Sequence, residues 1–379
     1  GAEMNEKAYG KTDGVTAVAG GQYLYRIKWF ELTTGLEYSY DYLFDNPIGY
    51  AGESFYKSMI IEQHVHNASI YAQGEFKFNK WGFLVGGRLD NWYNASNKKF
   101  LCIPSPRATL RYNPTHNINL RATYGSGFRA PQAFDEDLHI LIVGGERTRI
   151  RLAEDLKEER SSSLSASVEY SESFQNMALN IVAEAFHTTL SDVFALREIG
   201  HDDKGVALQE RYNGSGATVT GLNLEGRAMF GHKCELQAGF TYQRSRYVEP
   251  EQWSETAPAE SRMFRTPDTY GYMTLMLRPL RNLNVDITGN YTGSMLVPHY
   301  AGYIAEDIAH ESESFFDMGI KLTYNIRLYT DANLQLFGGV KNIFNSYQSD
   351  FDKGADRDSG YVYGPMQPRS AYIGLKIGF

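Results

Sequence analysis

Cysteine and long hydrophobic runs are both scarce in this sequence of 379 residues. There are only two cysteines, Cys102 and Cys234, and their spacing fits no zinc or redox motif. We predict that both are unpaired and lie near opposite rims of the fold. No stretch approaches the roughly 18 consecutive apolar residues that a transmembrane helix requires, so a membrane protein built from helices is excluded.

Positive charge and enzyme motifs are also in short supply. The chain carries 37 lysines and arginines against 45 aspartates and glutamates, a net charge of −8, which argues against a nucleic-acid partner. No Gly-x-Ser-x-Gly, His-Glu-x-x-His, phosphate-loop or dinucleotide motif occurs, so we predict that the protein is not an enzyme. Residues 1–7 contain no apolar core of a secretory signal; either a signal was removed or the chain is a fragment.

Apolar and polar residues alternate with a period of two along much of the chain. In residues 316–328 every even position is apolar or tyrosine, and every odd position is polar, charged or glycine. This period marks a strand with two different faces. Many runs exceed the about five or six residues of a soluble strand and are long enough to cross a bilayer at a tilt. No fixed repeat period favours a solenoid or a propeller.

Aromatic residues are abundant, with 27 tyrosines and 21 phenylalanines. Tyrosine and tryptophan cluster near the ends of the alternating runs, for example at Trp81, Tyr93 and Tyr291, as in the aromatic girdle of a membrane barrel. The last run places Ala371, Ile373, Leu375, Ile377 and Phe379 on one face. A terminal phenylalanine after such alternation resembles the carboxy-terminal signal of outer-membrane proteins.

The alternating runs predict about fifteen strands. They lie near residues 13–27, 29–42, 64–79, 81–93, 105–113, 117–127, 160–172, 175–200, 206–230, 233–247, 264–279, 282–296, 312–328, 332–345 and 368–379. Short connections alternate with long ones near 43–63, 94–104, 128–159, 248–263, 297–311 and 346–367, the layout of periplasmic turns and external loops. The predicted fold class is all-β, an antiparallel transmembrane β-barrel in the outer membrane, in contact with the lipid bilayer. Because single-chain bacterial barrels have even strand numbers, we expect further strands before Gly1.

Several segments are more specific than periodicity. Residues 119–131, which end in Phe128-Arg129-Ala130-Pro131, resemble a strand and its FRAP box in TonB-dependent receptors of the outer membrane. Residues 212–214 with 220–225, residues 340–345 and residues 360–365 resemble further motifs of that family, the last of its Bacteroidetes-type members. Ala153 and Glu154 depart from the pattern, since they stand where the family often carries Asn-Pro.

The resemblance covers essentially the whole chain. It implies a 22-stranded barrel plugged by an amino-terminal domain, of which residues 1–379 would be the carboxy-terminal segment without the plug and the first strands. The implied function is energised uptake of a scarce metal complex: a ferric siderophore, haem or cobalamin. The implied partners are TonB, this ligand and a surface lipoprotein, and no cofactor is required. The alternative is a passive porin, which predicts sixteen or eighteen strands and no plug.

The loop between the FRAP box and residue 159 carries the first candidate ligands. Some haem receptors of the family place a ligand histidine in this interval, where His139 lies, and a neutral imidazole can ligate haem iron. The alternative is a histidine hydrogen-bonded to a neighbouring carboxylate. Asp135, Glu136 and Asp137 suit a hard cation such as calcium. A second acidic group, Asp350, Asp352, Asp356 and Asp358, is interleaved with Lys353 and Arg357, which favours mutual ion pairing over calcium.

Loop aromatics and inward-facing charges complete the candidates. Trp253, Tyr300, Tyr303 and Tyr363 are predicted to stack on a flat ligand. Within the FRAP box, we expect Pro131 to fix a turn and Arg129 to pair with carboxylates of the lumen. Charged side chains on the lumen face are predicted to pack against a polar plug, not to form an ion path: Arg88, Asp90, Arg107, Arg111, Arg121, Lys321 and Arg327.

Overall fold

The computed structural model describes residues 11–46, 61–131, 148–201, 207–254, 256–328, 332–354, 356–358 and 360–378. This part of the chain contains twenty-one strands and no helix long and apolar enough to span a membrane. The strands are β1 (Lys11–Arg26), β2 (Phe30–Asn46), β3 (Ile61–Phe78), β4 (Trp81–Asn94), β5 (Lys99–Tyr112), β6 (Ile118–Arg129), β7 (Thr148–Leu152), β8 (Glu159–Ser173), β9 (Met177–Ser191), β10 (Phe194–His201), β11 (Ala207–Asn213), β12 (Ala217–Phe230), β13 (Cys234–Glu251), β14 (Glu260–Arg262), β15 (Thr269–Leu280), β16 (Leu283–Thr292), β17 (Leu296–His299), β18 (Ile308–Glu311), β19 (Phe315–Arg327), β20 (Asn333–Lys341) and β21 (Ser370–Gly378).

Fifteen of these strands follow one another in a single antiparallel sheet. Its order is β1-β2-β3-β4-β5-β6-β8-β9-β12-β13-β15-β16-β19-β20-β21, and β14 adds to the end of β13. Each strand therefore pairs with its neighbour in the chain, apart from the small strands set aside in the loops. The predicted all-β class and the predicted number of long strands are confirmed.

The sheet buries polar residues on one face and exposes apolar residues on the other. Along β13, Thr241, Gln243 and Ser245 are buried, whereas the residues between them are exposed. The register pairs Leu224 with Phe240, which are 56% and 48% exposed on the outward face. The last strand has the same pattern, since Ile373 is 91% exposed. An apolar outward face is what lipid contact requires of a strand that crosses a bilayer.

The inward face of β2, β3 and β4 carries a hydrogen-bonded charge network. Arg88 donates to Glu37 at 2.6 Å and to Asp90 at 2.9 Å. Asp90 is buried and also accepts hydrogen bonds from Ser69 at 2.7 Å and Asn67 at 2.9 Å. Two of the predicted lumen charges therefore neutralise each other within the wall of the sheet.

The two longest predicted strands, residues 175–200 and 206–230, are wrong as continuous elements. β9 ends at Ser191, and Asp192 adopts a left-handed conformation with φ 55° before β10 begins. On the return, Gly216 has φ 101°, and a Cβ there would overlap the carbonyl oxygen of Leu190. These two turns bend β10 and β11 out of the main sheet, and β11 pairs in parallel with β7 in a separate three-stranded sheet.

The predicted long loop at residues 94–104 is also wrong. β4 and β5 remain paired as far as Asn94 and Lys99, which leaves a four-residue turn. Asn94 and Asn97 stabilise this turn by accepting backbone hydrogen bonds from Ser96 at 3.0 Å and Lys99 at 3.1 Å. Proline and cysteine interrupt the apolar pattern of β5, so periodicity alone did not reveal the start of this strand.

The rim with the long connections is called the long-loop rim, and the opposite edge the short-turn rim. Cys102 lies near the turn at residues 95–98 on the long-loop rim, whereas Cys234 begins β13 at the short-turn rim. Both cysteines are free, as predicted. Loops predicted at 248–263 and 297–311 contain the short strands β14, β17 and β18, which are too brief for alternation to reveal.

Candidate functional site

Three loop segments pack together above the last strands of the sheet. The described parts of residues 252–268, 293–314 and 342–369 form this assembly, which we call the loop cap. It has its own small core, in which Met295, Val297 and Tyr361 are buried and Tyr363 packs beside them. A buried core gives the cap a defined shape, unlike a set of independent loops.

An imidazole and a carboxylate join β17 to the last loop. Nε2 of His299 lies 2.9 Å from Oδ2 of Asp352, and both side chains are buried. The same carboxylate oxygen accepts a hydrogen bond from the backbone N–H of Asp358 at 2.9 Å. The ring of His299 also stacks on Tyr361, with centroids 3.6 Å apart.

Asp350 holds two phenols of the last loop. Tyr361 and Tyr363 donate hydrogen bonds to its Oδ2 at 2.8 Å and 2.7 Å. Partial burial opposes ionisation of Asp350, but the hydrogen bonds from Tyr363 and Tyr361 outweigh it and lower the pKa of the carboxyl. Burial, followed by the hydrogen bond to Asp350, raises the pKa of both phenols above the ordinary tyrosine value.

Gln348 completes the lower layer of the cap. Its side chain is fully buried, and its Oε1 accepts hydrogen bonds from the backbone N–H groups of Tyr363 at 2.8 Å and Gly364 at 3.2 Å. Its Nε2 donates to the carbonyl of Tyr361 at 3.1 Å. A buried amide with its hydrogen bonds made in this way fixes the backbone on which Tyr361 and Tyr363 are mounted.

The predicted ion pairs of the last loop are absent from the described part of the chain. Arg357 instead donates to the carbonyl of Gly354 at 2.8 Å, and Oδ2 of Asp358 accepts from the backbone N–H of Tyr300 at 3.0 Å. The described residues also contain no group of three or more histidine, cysteine or acidic side chains arranged to hold a metal ion. Asp352 and Asp358 therefore connect this loop to His299 and Tyr300, whereas Asp350 holds tyrosines of its own loop.

The predicted ligand-stacking aromatics divide into two sets. Trp253 lies edge-on to Tyr300, with centroids 5.6 Å apart, and edge-on to Phe264 at 5.2 Å. Trp253, Phe264 and Tyr300 are called the aromatic cluster. Tyr303, three residues after Tyr300 in the same loop, is 54% exposed. Tyr363 belongs to the lower layer, because Asp350 holds its hydroxyl.

Polar contacts position the aromatic cluster. Asp307 accepts from the hydroxyl of Ser254 at 2.6 Å and from the backbone N–H of Ala301 at 2.7 Å, which joins the segments that carry Trp253 and Tyr300. Arg265, next to Phe264, donates to the carbonyl of Val362 at 2.7 Å. Sequence reasoning missed Phe264, Arg265 and Asp307, because residues of two separate loops give no common pattern along the chain.

The arginine of the FRAP box contacts the first residues of β8 and β10. Nη1 of Arg129 lies 3.6 Å from Glu159, and the guanidinium lies 5.6 Å from the ring centre of Phe194. Glu159 also accepts from the backbone N–H of Phe194 at 2.6 Å. The FRAP arginine thus pairs with an inward carboxylate, Phe128 and Ala130 are half-buried, and Pro131 is buried.

Asn213 fastens the other side of this region. Its Oδ1 accepts from the backbone N–H of Lys157 at 2.8 Å, and its Nδ2 donates to the carbonyl of Asp192 at 2.7 Å. One side chain therefore connects the ends of β9 and β11 with the loop before β8. His139, Asp135, Glu136 and Asp137 lie outside the described residues.

The family model described as "TonB dependent receptor-like, beta-barrel" matches residues 4–343. The chain belongs to this family. The resemblance to TonB-dependent receptors is confirmed. No curated protein matches the chain.

Solved structures with a similar fold include receptors and transporters. A point mutant of the ferric enterobactin receptor PfeA of Pseudomonas aeruginosa has a TM-score of 0.66 and 18% identity, over 97% of this chain and 54% of that one. The FrpB iron transporter of Neisseria meningitidis (F5-1 variant) has a TM-score of 0.68 and 14% identity, over 97% and 56%. The copper transporter OprC has a TM-score of 0.66 and 13% identity, over 98% and 57%. The chain spans about half the length of these proteins.

Proposed function

We propose that this chain is the loop-bearing barrel portion of a TonB-dependent receptor of the outer membrane that takes up a ferric siderophore. One observation carries the proposal: a chain of this family holds Trp253, Phe264 and Tyr300 together at the long-loop rim. The exposed Tyr303 follows Tyr300 by three residues in the same loop. Aromatic rings on a prepositioned frame offer flat apolar faces and edges to the planar groups of an organic chelator.

The proposed route follows from family membership. The ligand binds at the loop cap and at the apex of an amino-terminal plug, and TonB, acting from the periplasm, displaces the plug. The similar structures include a ferric enterobactin receptor and an iron transporter, which supports iron chelates over haem and cobalamin. A surface lipoprotein that delivers ligand stays an open expectation.

We further propose that the fifteen strands are the last of twenty-two. β1 and β21 end the path of the described sheet, and an unpaired strand edge in lipid leaves backbone groups without hydrogen-bond partners. The similar receptors are nearly twice as long as this chain, which leaves length for further strands and a plug. Strands supplied from that length would pair with both edges.

Titration of the complete receptor, purified from outer membranes, with a ferric catecholate siderophore, haem and cobalamin tests the proposal. We expect saturable binding of the ferric siderophore, and a loss of about 2- to 10-fold in affinity for Trp253→Ala, since one aromatic contact contributes about 0.5–1.5 kcal/mol. Trp253→Phe, which keeps a ring, should lose less than Trp253→Ala.

Other outcomes of this titration are equally informative. Haem binding that disappears in His139→Ala would replace the siderophore by haem, and calcium-dependent cobalamin binding would point to Asp135, Glu136 and Asp137. Binding of none of the three, with ion conductance in a planar bilayer, would support a passive pore and overturn the proposal.

A further inference from the structure

The outward face of the sheet carries a basic patch at the long-loop rim. Arg244 and Arg246 of β13 and Arg262 of β14 contribute the charges, and His187 of β9 and Thr220 of β12 stand beside them. The register pairs Thr220 with both Arg244 and His187, and it pairs Arg246 with Arg262. Directly opposed residues on neighbouring strands share a face at about 5 Å between Cβ atoms, so these five side chains, called the arginine patch, are continuous.

Two of the arginines have no acidic partner within the described residues. Arg262 is neutralised by Glu311, at 2.7 Å. Arg244 instead donates to the hydroxyl of Tyr242 at 2.9 Å, and Arg246 makes a long contact of 3.4 Å with Ser261. Both side chains are exposed. Since each guanidinium has five N–H donors, most donors of this pair are left for an external acceptor.

An apolar groove lies below the patch, on the same face of the same strands. Its volume is about 390 Å³. The walls are formed by Leu179, Ile181, Leu224 and Phe240, and the floor by Gly226 and Ala238. A Cβ at Gly226 would meet no atom within 4 Å, so the space above the floor is open.

The patch and the groove have the spacing of a polar head and an apolar tail. Arg244 lies four positions after Phe240 in β13, a distance of roughly 14 Å along an extended strand. Tyr242 stands between them, where an amphipathic ring marks the boundary of the hydrocarbon layer. Guanidinium groups bind phosphate in a bidentate geometry, which suits the two arginines that have no acidic partner in the described part of the chain.

We infer that these residues bind a phosphorylated lipid of the outer leaflet, with its phosphate on Arg244 and Arg246 and an acyl chain in the groove. The occupant follows from charge complementarity at the patch and from the apolar outward face that surrounds the groove. The inference rests on the proposed outer-membrane location, which puts the long-loop rim at the cell surface. It does not depend on which metal complex the receptor transports.

The test uses the complete receptor purified from outer membranes and reconstituted in nanodiscs of phosphatidylcholine with and without lipid A. Native mass spectrometry counts the lipid A retained. We expect the double variant Arg244→Ala/Arg246→Ala to bind lipid A at least about tenfold more weakly, because two charge-assisted contacts are lost. The matched control, Arg278→Ala/Arg281→Ala, removes two exposed arginines at the short-turn rim and should bind like the wild type.

A second variant tests the groove. Gly226→Phe fills the groove with a side chain for which the backbone leaves room, and it should weaken the retention of lipid A. Inorganic phosphate added to the wild-type receptor should fail to displace lipid A. Heat-modifiable mobility on a gel confirms that each variant is folded. Retention of lipid A that is equal in both double variants overturns the inference.

Failure of this inference can be told apart from failure of the proposed function. Membrane fractionation shows whether the receptor lies in the outer membrane, and ferric siderophore titration on the same preparations tests the transport ligand. The number of lipid A molecules retained tests the arginine patch. If the receptor binds the siderophore, and lipid A retention does not change when Arg244 and Arg246 are replaced, only the lipid site is refuted.

Discussion

The imidazole of His299 stacks on the phenol ring of Tyr361, with ring centroids 3.6 Å apart and planes 11° from parallel. The two residues belong to different loops, and the stack lies between the Asp352 contact of His299 and the Asp350 contact of Tyr361. These contacts join two loops of the long-loop rim through buried side chains. They therefore support the positions of the loops that carry the aromatic cluster.

Tyr361→Ala should open the loop cap. Tyr361 is buried, and truncation of a buried aromatic side chain removes about 3–5 kcal/mol of packing. We expect faster amide hydrogen exchange across residues 342–369 and 293–314, with the main sheet unchanged. Tyr303→Ala, at an exposed position of the same cap, is the control and should alter exchange little. Equal exchange in both variants would contradict a stabilising role for the stack.

Acid should loosen the lower layer of the cap. The folded pKa of Asp350 lies below its ordinary value, so its stabilisation is present above about pH 3.9 and is lost as the pH falls toward the folded pKa. Hydroxyl-radical labelling of Tyr361 should therefore rise below about pH 4. In Asp350→Asn this acid transition should weaken, because the titrating carboxylate is absent; an unchanged transition would assign it to another group.

Alkali should act on the same layer through the phenols. The pKa values of Tyr361 and Tyr363 are raised in the folded chain, so their stabilisation is complete below about pH 10 and is lost as the pH rises toward the folded values. Ultraviolet titration of phenolate should show late ionisation for these two tyrosines. In Asp350→Asn their ionisation should shift toward ordinary tyrosine behaviour.

Gly216→Ala should disturb the turn into β12. Gly216 has φ 101°, and a Cβ would overlap the carbonyl oxygen of Leu190. We expect a loss of more than about 1 kcal/mol, because an alanine is strained in this conformation and must also displace backbone. The melting temperature of the detergent-solubilised receptor measures it. Gly125→Ala, where a Cβ meets no atom within 4 Å, is the matched control and should melt like the wild type.

Asn213→Ala should release the loop before β8. The amide of Asn213 contacts the backbone of Lys157 and Asp192, and its removal leaves these groups without their partner at about 1–3 kcal/mol. We expect limited proteolysis to cut residues 152–158 faster. Asn97→Ala, which removes a turn contact at the same rim, should leave this site protected; cleavage at the wild-type rate in Asn213→Ala would refute the role.

Alternation predicted the strand faces well because each residue in a strand points away from its neighbours whatever the rest of the fold does. Leu224 and Phe240 could be placed on the outward face from their local pattern alone. Asp192 and Gly216 were missed as turns, because the strands on either side of each were joined into one predicted run. The pairing of β11 with β7, which draws β10 and β11 out of the main sheet, is not visible in local order. The loop cap was predicted only in part. Trp253 and Tyr300 were predicted as ligand contacts, but the contact of Trp253 with Phe264 was not predicted.

The order of residues was enough to establish the all-β class, the fifteen long strands and the family, since period-two alternation and short motifs are properties of neighbouring residues. Which distant residues meet became clear from the folded chain alone. His299 and Asp352 stand 53 positions apart, and Arg129 reaches Glu159 through the pairing of β6 with β8. Such contacts depend on strand register and on loop closure, and neither can be predicted from the order of neighbouring residues.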